Sequence, residues 1–355
     1  MKRYENVDML RSLAIITIIV YHCFAITMPT LSHVLYVDKL IGYGGEIGVT
    51  LFFVLSGFGI AYSIINAENK DGKGYTWIAF MKKRITRIVP QYYVCLAIML
   101  LLTDCAGFLL TPQGILHIFS HIFFFQNLFV TTHGSINGAM WALATIFQFY
   151  LIALPLQKLI EKNKWIILFL AIIVSIGSKC LIYNYIAHNT ELNGTYFFVY
   201  GRQLLDTLDN FVVGMVIAKV CTERKQDKKW YWWIGVIVLF VVMIFWITVI
   251  DKIGLYTNNL LSYIWHSVLA LILAGILFCF NRCPFPFKYI KKFLLWLSKY
   301  EYGIYIWHIV LIYNLIGKSP LFQLIRSQTF YMFTVVILIV SIFMGFFSTK
   351  FIDKK

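Results

Sequence analysis

The sequence predicts an all-α protein, a polytopic bundle of about ten membrane-spanning helices, and three observations carry that prediction. Apolar runs of about 20 residues, the length that crosses hydrocarbon, recur along the whole chain. Hydrophobic residues make up 60% of it against 13% charged, and the mean hydropathy is +0.76. The basic residues gather in short segments between the runs, as loops that set membrane orientation do.

The spans fall near 10–29, 46–65, 88–103, 140–157, 165–187, 206–219, 230–250, 260–280, 300–316 and 330–349. The first has the basic start and apolar core of a signal peptide, but no small-residue cleavage pattern follows, so it reads as a retained anchor. The second carries Ser56 and Gly57, which read as small residues of closely packed helices or, alternatively, as lining of a substrate cavity. The third begins at the basic stretch FMKKRITRIVPQYY. The fourth opens at Trp141, where an interfacial tryptophan is expected. The ninth carries His308 near its middle. With both termini cytoplasmic, 25 of the 31 Lys and Arg fall on the cytoplasmic side and 6 outside, among them Lys179 and Arg202. The stretch 115–130 is apolar enough to pass for another span, but counting it would invert every later loop. It is read as an external or re-entrant segment.

Other classes are disfavoured. A net charge of +15 would suit nucleic acid if it lay on one soluble face, and here it is spread over loops between spans. Seven cysteines, an odd number without CxxC spacing, make neither a disulfide framework nor a zinc site, and Cys279 and Cys283 read as core or interfacial thiols. His117 and His121 share a helix face, but no Glu follows His117, so the protease-type zinc motif is missing and no metal is expected. There is no repeat or low-complexity tract, and 1–355 reads as a single domain.

Chemistry is expected where ionisable groups enter the apolar runs. Arg11 and His22 lie within the first span, where a charged side chain costs at least a few kcal/mol. Eleven residues apart, they return to nearly the same helix face, roughly 16 Å apart along the axis. Arg84 and Arg87 stand one turn apart at the inner mouth of the third span, just after Lys82 and Lys83. Their forked donors suit phosphate oxygens; setting topology is the ordinary alternative. The stripe of Arg11 and His22 begins on that same side.

The stretches NVDMLRSLAIITIIVYH, GGEIGVTLFFVLSGFGIAYS and FMKKRITRIVPQYY resemble the opening of acyltransferase family 3, the bacterial integral-membrane acyltransferases that include O-antigen O-acetylases. WALATIFQFYLIALPL, LDNFVVGMVIA and LSKYEYGIYIWHIVL follow in the matching order, so the likeness covers essentially the whole chain. The family's Arg, ten residues and His fall on Arg11 and His22, and its Arg-x-x-Arg on Arg84 and Arg87. The resemblance implies a cytoplasmic acyl-CoA donor, acetyl-CoA as co-substrate, and transfer of the acyl group to a hydroxyl. The acceptor would be a cell-surface or exported glycan or a similar compound. Arg84, Arg87 and Arg11 would hold the donor's phosphates while its arm carries the thioester toward His22, neutral among arginines in hydrocarbon and so able to act as base. Asp8, matching a family acidic residue, would orient Arg11 or serve as an interfacial carboxylate, and His308, matching a family His, would otherwise be a packing histidine. The family pattern WSLSVEEQFY is here WALATIFQFY: Ala142 stands for the Ser, Ile146 and Phe147 for two carboxylates, which leaves acceptor identity open. A polysaccharide-export component or transporter is the alternative, though no internal symmetry of paired halves is visible. A non-catalytic sensor is the third reading.

Overall fold

The computed structural model describes residues 4–27, 37–72, 74–189, 194–223, 227–255, 257–312 and 330–352. Among them there is no strand. The order is α1 (Glu5–Thr27), α2 (Val37–Gly42), α3 (Gly44–Asp71), α4 (Trp77–Leu102), α5 (Cys105–Leu110), α6 (Pro112–Ile122), a 3₁₀ turn at Gln126–Leu128, α7 (Val130–His133) and α8 (Met140–Ala187). Then follow α9 (Gly194–Tyr200), α10 (Leu208–Glu223), α11 (Trp232–Ile253), α12 (Leu260–Arg282), α13 (Lys288–Leu297), α14 (Glu301–Ile309) and α15 (Phe330–Phe351).

Seven of these, α1, α3, α4, α8, α11, α12 and α15, are long and apolar enough to cross a membrane. At 1.5 Å per residue the 48 residues of α8 would run about 72 Å, far beyond one hydrocarbon thickness of about 30 Å. The backbone breaks at Asn163, which has φ −156 and ψ 93, and the Asn163 carboxamide oxygen then caps the second half by accepting from Ile166 N–H at 3.1 Å. That break lies in the basic segment expected between the fourth and fifth spans. The sixth expected span is α10, 16 residues. The ninth is α14 with its continuation to residue 312; 313–316 lie outside the described residues, as do 28 and 29 of the first.

The stretch 115–130 forms no span. It divides into the last part of the 11-residue α6, the 3₁₀ turn and the start of α7, with Phe124 at φ 58 between the first two. Eleven helical residues reach only about 16 Å. Protein-internal bonds hold this backbone: Tyr92 donates to the His121 carbonyl at 3.1 Å, and Gln126 donates to Tyr92 Oη at 3.1 Å and to the Met140 carbonyl at 3.0 Å. Burial pushes His121 and His133 down to about 4, so both are neutral at physiological pH.

Lipid tails offer helices no hydrophobic drive to associate, so contact rests on close packing through small residues. The tightest crossing joins α3 to α10. A Cβ on Gly57 would lie 2.0 Å from the Phe211 carbonyl oxygen, and one on Gly214 would lie 1.9 Å from the Val54 carbonyl oxygen. Gly48 similarly admits Ile18 and the Ala14 carbonyl of α1. The opposite faces are apolar and outward, as along α11, where Ile234, Ile237, Val241 and Phe245 are exposed at helical spacing. In the basic segment 282–299, between the eighth and ninth spans, α13 is an amphipathic helix. Lys291 pairs with Glu5 at 2.6 Å, and Ser12 of α1 donates to the Leu294 carbonyl at 2.7 Å. Cys279 and Cys283 are buried thiols, as expected of core cysteines.

Gly57→Ala and Gly214→Ala should therefore each destabilise at the upper end of the ~1–3 kcal/mol range for overpacking, because the methyl meets backbone rather than a movable side chain. Thermal unfolding in detergent checks this, with Gly177→Ala, where a Cβ meets nothing within 4 Å, as the comparison expected to be far milder.

Candidate functional site

The polar face of α1 meets a second polar face on α14. Arg11 Nη1 donates to Glu301 Oε1 at 3.3 Å, and farther along the same two helices the rings of His22 and His308 lie 5.2 Å apart between centroids. Glu301 and His308 are seven residues, about two turns, apart and so share a face. The arginine end and the histidine end of the stripe on α1 are thus each matched by a partner.

Around the arginine end, α1, α3, α4, α8 and α14 enclose a cavity of about 120 Å³. Arg11, Arg84 and Arg87 all line it, with Glu301, Ser56, Tyr150 and Tyr305. Gly59 makes room for the first of these, since a Cβ there would come within 2.5 Å of Arg11 Nη2. Arg87 is half-exposed and 3.7 Å from Glu301 Oε1. Arg84 is buried, its guanidinium over the rings of Phe80 at 4.9 Å and Tyr150 at 5.6 Å. Arg84 Nε and Nη2 have no hydrogen-bond partner among the described residues. A buried guanidinium with unmade bonds is costly, and an anion in the cavity would make them. Lys83 turns elsewhere, to the Tyr75 hydroxyl at 2.6 Å.

Tyr305 stands between the cavity and the histidines. It lines the cavity, its ring is 5.6 Å from that of His308, and its hydroxyl donates to the Ala139 carbonyl at 2.6 Å. His308 is fully buried, and its Nδ1 bonds the Tyr305 carbonyl. A carbonyl only accepts, so Nδ1 carries the proton and Nε2 keeps its lone pair. That Nε2 has no hydrogen-bond partner among the described residues. His22 is only half-buried.

The other expected residues divide. Ser56 lines the cavity, while the packing role read for the pair falls to Gly57. Trp141 is buried at the start of α8, stacked on His133 at 5.3 Å with the Arg202 guanidinium 5.0 Å from its ring. Asp8 stands in the first turn of α1. Ala142, Leu143 and Ile146 of the divergent motif lie on the cavity wall. Phe147 instead stacks on Phe124 at 4.3 Å. Sequence reasoning passed over Glu301 and Tyr305, although a carboxylate in an apolar run was a visible signal for the first. It also passed over a buried cluster in which Glu46 bonds Arg202 and, at 3.0 Å, His266 Nε2. Lys179 and Arg202, counted above as external basic residues, are both buried, and Lys179 Nζ makes no hydrogen bond among the described residues.

The profile of the acyltransferase 3 family, described as an acyltransferase domain, matches residues 4–348. The O-acetyltransferase OatA of Staphylococcus aureus strain NCTC 8325 is 23% identical over 341 residues, covering 89% of this chain and 53% of that protein. A putative O-acetyltransferase of S. aureus strain COL is 24% identical over 359 residues, covering 91% of this chain and 54% of that protein. The chain thus spans about half the length of these curated relatives. No solved structure matches it significantly.

Because Arg84 Nε and Nη2 make no hydrogen bond among the described residues, Arg84→Met should raise stability by about 1–4 kcal/mol, as apolar replacement of buried charge often does, while weakening anion affinity. A fall in Tm as large as that of Phe80→Ala would instead make Arg84 a structural brace.

Proposed function

The chain belongs to the acyltransferase 3 family, and from that premise we propose that it is an integral-membrane O-acyltransferase whose donor is acyl-CoA, acetyl-CoA in the simplest case. One observation carries this reading: three guanidinium groups converge on one cavity, and Tyr305 of its lining lies 5.6 Å, ring to ring, from one of a pair of histidines. The donor's phosphates bind Arg84, Arg87 and Arg11 by charge-assisted bonds, and its flexible arm runs past Tyr305. The thioester is then delivered to His22 and His308. A hydroxyl acceptor arrives from the opposite side of the membrane, in keeping with the relatives' name of O-acetyltransferase. A histidine nitrogen takes the hydroxyl proton as the oxygen bonds the thioester carbonyl carbon, the C–S bond breaks, and the proton passes on to the CoA thiolate. The acceptor is a hydroxyl of a cell-surface or exported glycan or a similar compound.

Purified protein should transfer acetyl from acetyl-CoA to a sugar hydroxyl or, without acceptor, slowly hydrolyse the thioester. His22→Ala should lower that rate about 10²–10⁴-fold with CoA binding retained, and His22→Gln should not rescue it, since an amide supplies no basic nitrogen. His308→Ala discriminates within the pair. If it matches the loss of His22→Ala in the folded fraction, the Nε2 of His308 takes part in the proton transfer; if only stability falls, His308 positions His22. Wild-type turnover in both variants would remove the histidines from the chemistry.

The proposed orientation has both termini in the cytoplasm, with the arginine mouth facing the donor. In a cysteine-free background, Asp227→Cys and Thr257→Cys flank α11, and an impermeant thiol reagent should reach the second in intact cells. The first should label only after the membrane is opened, and the reverse pattern would invert the topology.

A further inference from the structure

Resting on the acyl-CoA reading above, we propose that Glu301 is an internal competitor for the donor's phosphates: a carboxylate that holds the arginines and must be displaced from them each time a CoA group binds. Glu301 is buried at the start of α14 and lines the same cavity as Arg11, Arg84 and Arg87. One oxygen, Oε1, serves both arginines, at 3.3 Å from Arg11 and 3.7 Å from Arg87. These are long. A well-made guanidinium–carboxylate bond closes to about 2.7–2.9 Å and is commonly bidentate. The other oxygen, Oε2, is buried and makes no hydrogen bond among the described residues. A single carboxylate oxygen shared between two cations, its twin unused, is a contact that a better anion can replace. A diphosphate brings more oxygens and more charge to the same forks.

The arrangement has a kinetic rationale. Acyl-CoA and free CoA carry identical phosphates, so every contact the arginines make binds substrate and product alike. Such uniform binding lowers KM without raising kcat and, once tight, traps the product. A carboxylate that reclaims Arg11 and Arg87 weakens both complexes equally and returns the site to its starting charge state when CoA leaves. Glu301 is on this account a positioning residue of the donor site and touches no reacting atom.

The test is CoA binding by calorimetry to the full-length protein in nanodiscs of zwitterionic lipid, together with steady-state kinetics. Glu301→Gln keeps the shape and removes the charge. CoA should bind about tenfold tighter or more, and the KM for acetyl-CoA should fall. The kcat should fall with it, because product release slows, and free CoA should become a stronger product inhibitor. A merely structural role would raise KM instead. Should E301Q not be recovered folded, Glu301→Asp, one methylene shorter and farther from Arg87, should move CoA affinity in the same direction. Unchanged or weaker CoA binding in whichever folded variant is measured, with wild type binding CoA, overturns the inference and leaves the donor reading standing. Failure of wild type and variant alike to bind CoA overturns both.

Discussion

Burying guanidinium groups inside a bundle surrounded by hydrocarbon is the constraint to which the rest of this structure answers. Arg11 and Arg84 both lie in helices apolar enough to cross a membrane, where each charge must find an anion or lose several kcal/mol. The protein meets the demand incompletely. Glu301 serves Arg11 and Arg87 with one oxygen, and Arg84 lies against two aromatic rings with Nε and Nη2 unbonded among the described residues. Full internal compensation would give a more stable bundle and a site with no remaining attraction for a phosphate.

Holding such a site open requires helices that meet closely elsewhere. Gly57 and Gly214 bring α3 and α10 to backbone contact, and Gly48 does the same for α3 and α1. Two residues beyond Gly57, Gly59 turns from packing to accommodation, its missing side chain leaving the room that the Arg11 guanidinium takes. One short stretch of α3, SGFG, therefore supplies a cavity-lining hydroxyl at Ser56, a helix crossing and the clearance for a charged group.

Much of this was legible before any coordinates. Hydropathy, a local signal, located the helices, and the distribution of basic residues over all the loops kept 115–130 from being read as a span. Helical periodicity put Arg11 and His22 on one face, and the convergence of Arg84 and Arg87 on Arg11 followed from their common side of the membrane. What local pattern does not encode is the partner. Glu301 lies 290 residues from Arg11, and its role depends on α14 packing beside α1. The pairing of Glu46 with Arg202 and His266 is equally remote, and the burial of Lys179 and Arg202 was hidden because a buried cation and a solvated one are the same letter in a sequence.

The divergent motif WALATIFQFY takes on a physical meaning once the cavity is in view. Ile146 is on its wall, where a carboxylate would project toward the arginines, whereas Phe147 packs on Phe124 away from them. Only the first substitution changes the charge of the site. The cavity nevertheless contains a carboxylate, supplied by Glu301 from a different helix. A second acid at position 146 would confront Glu301 across a space of about 120 Å³ and cancel more of the positive charge that draws a phosphate. With three guanidinium groups against one carboxylate, the cavity keeps a net attraction for anions while its wall along α8 stays apolar. The charge that an anion would meet there is that of the whole enclosure, and a residue-by-residue comparison at 146 and 147 does not report it.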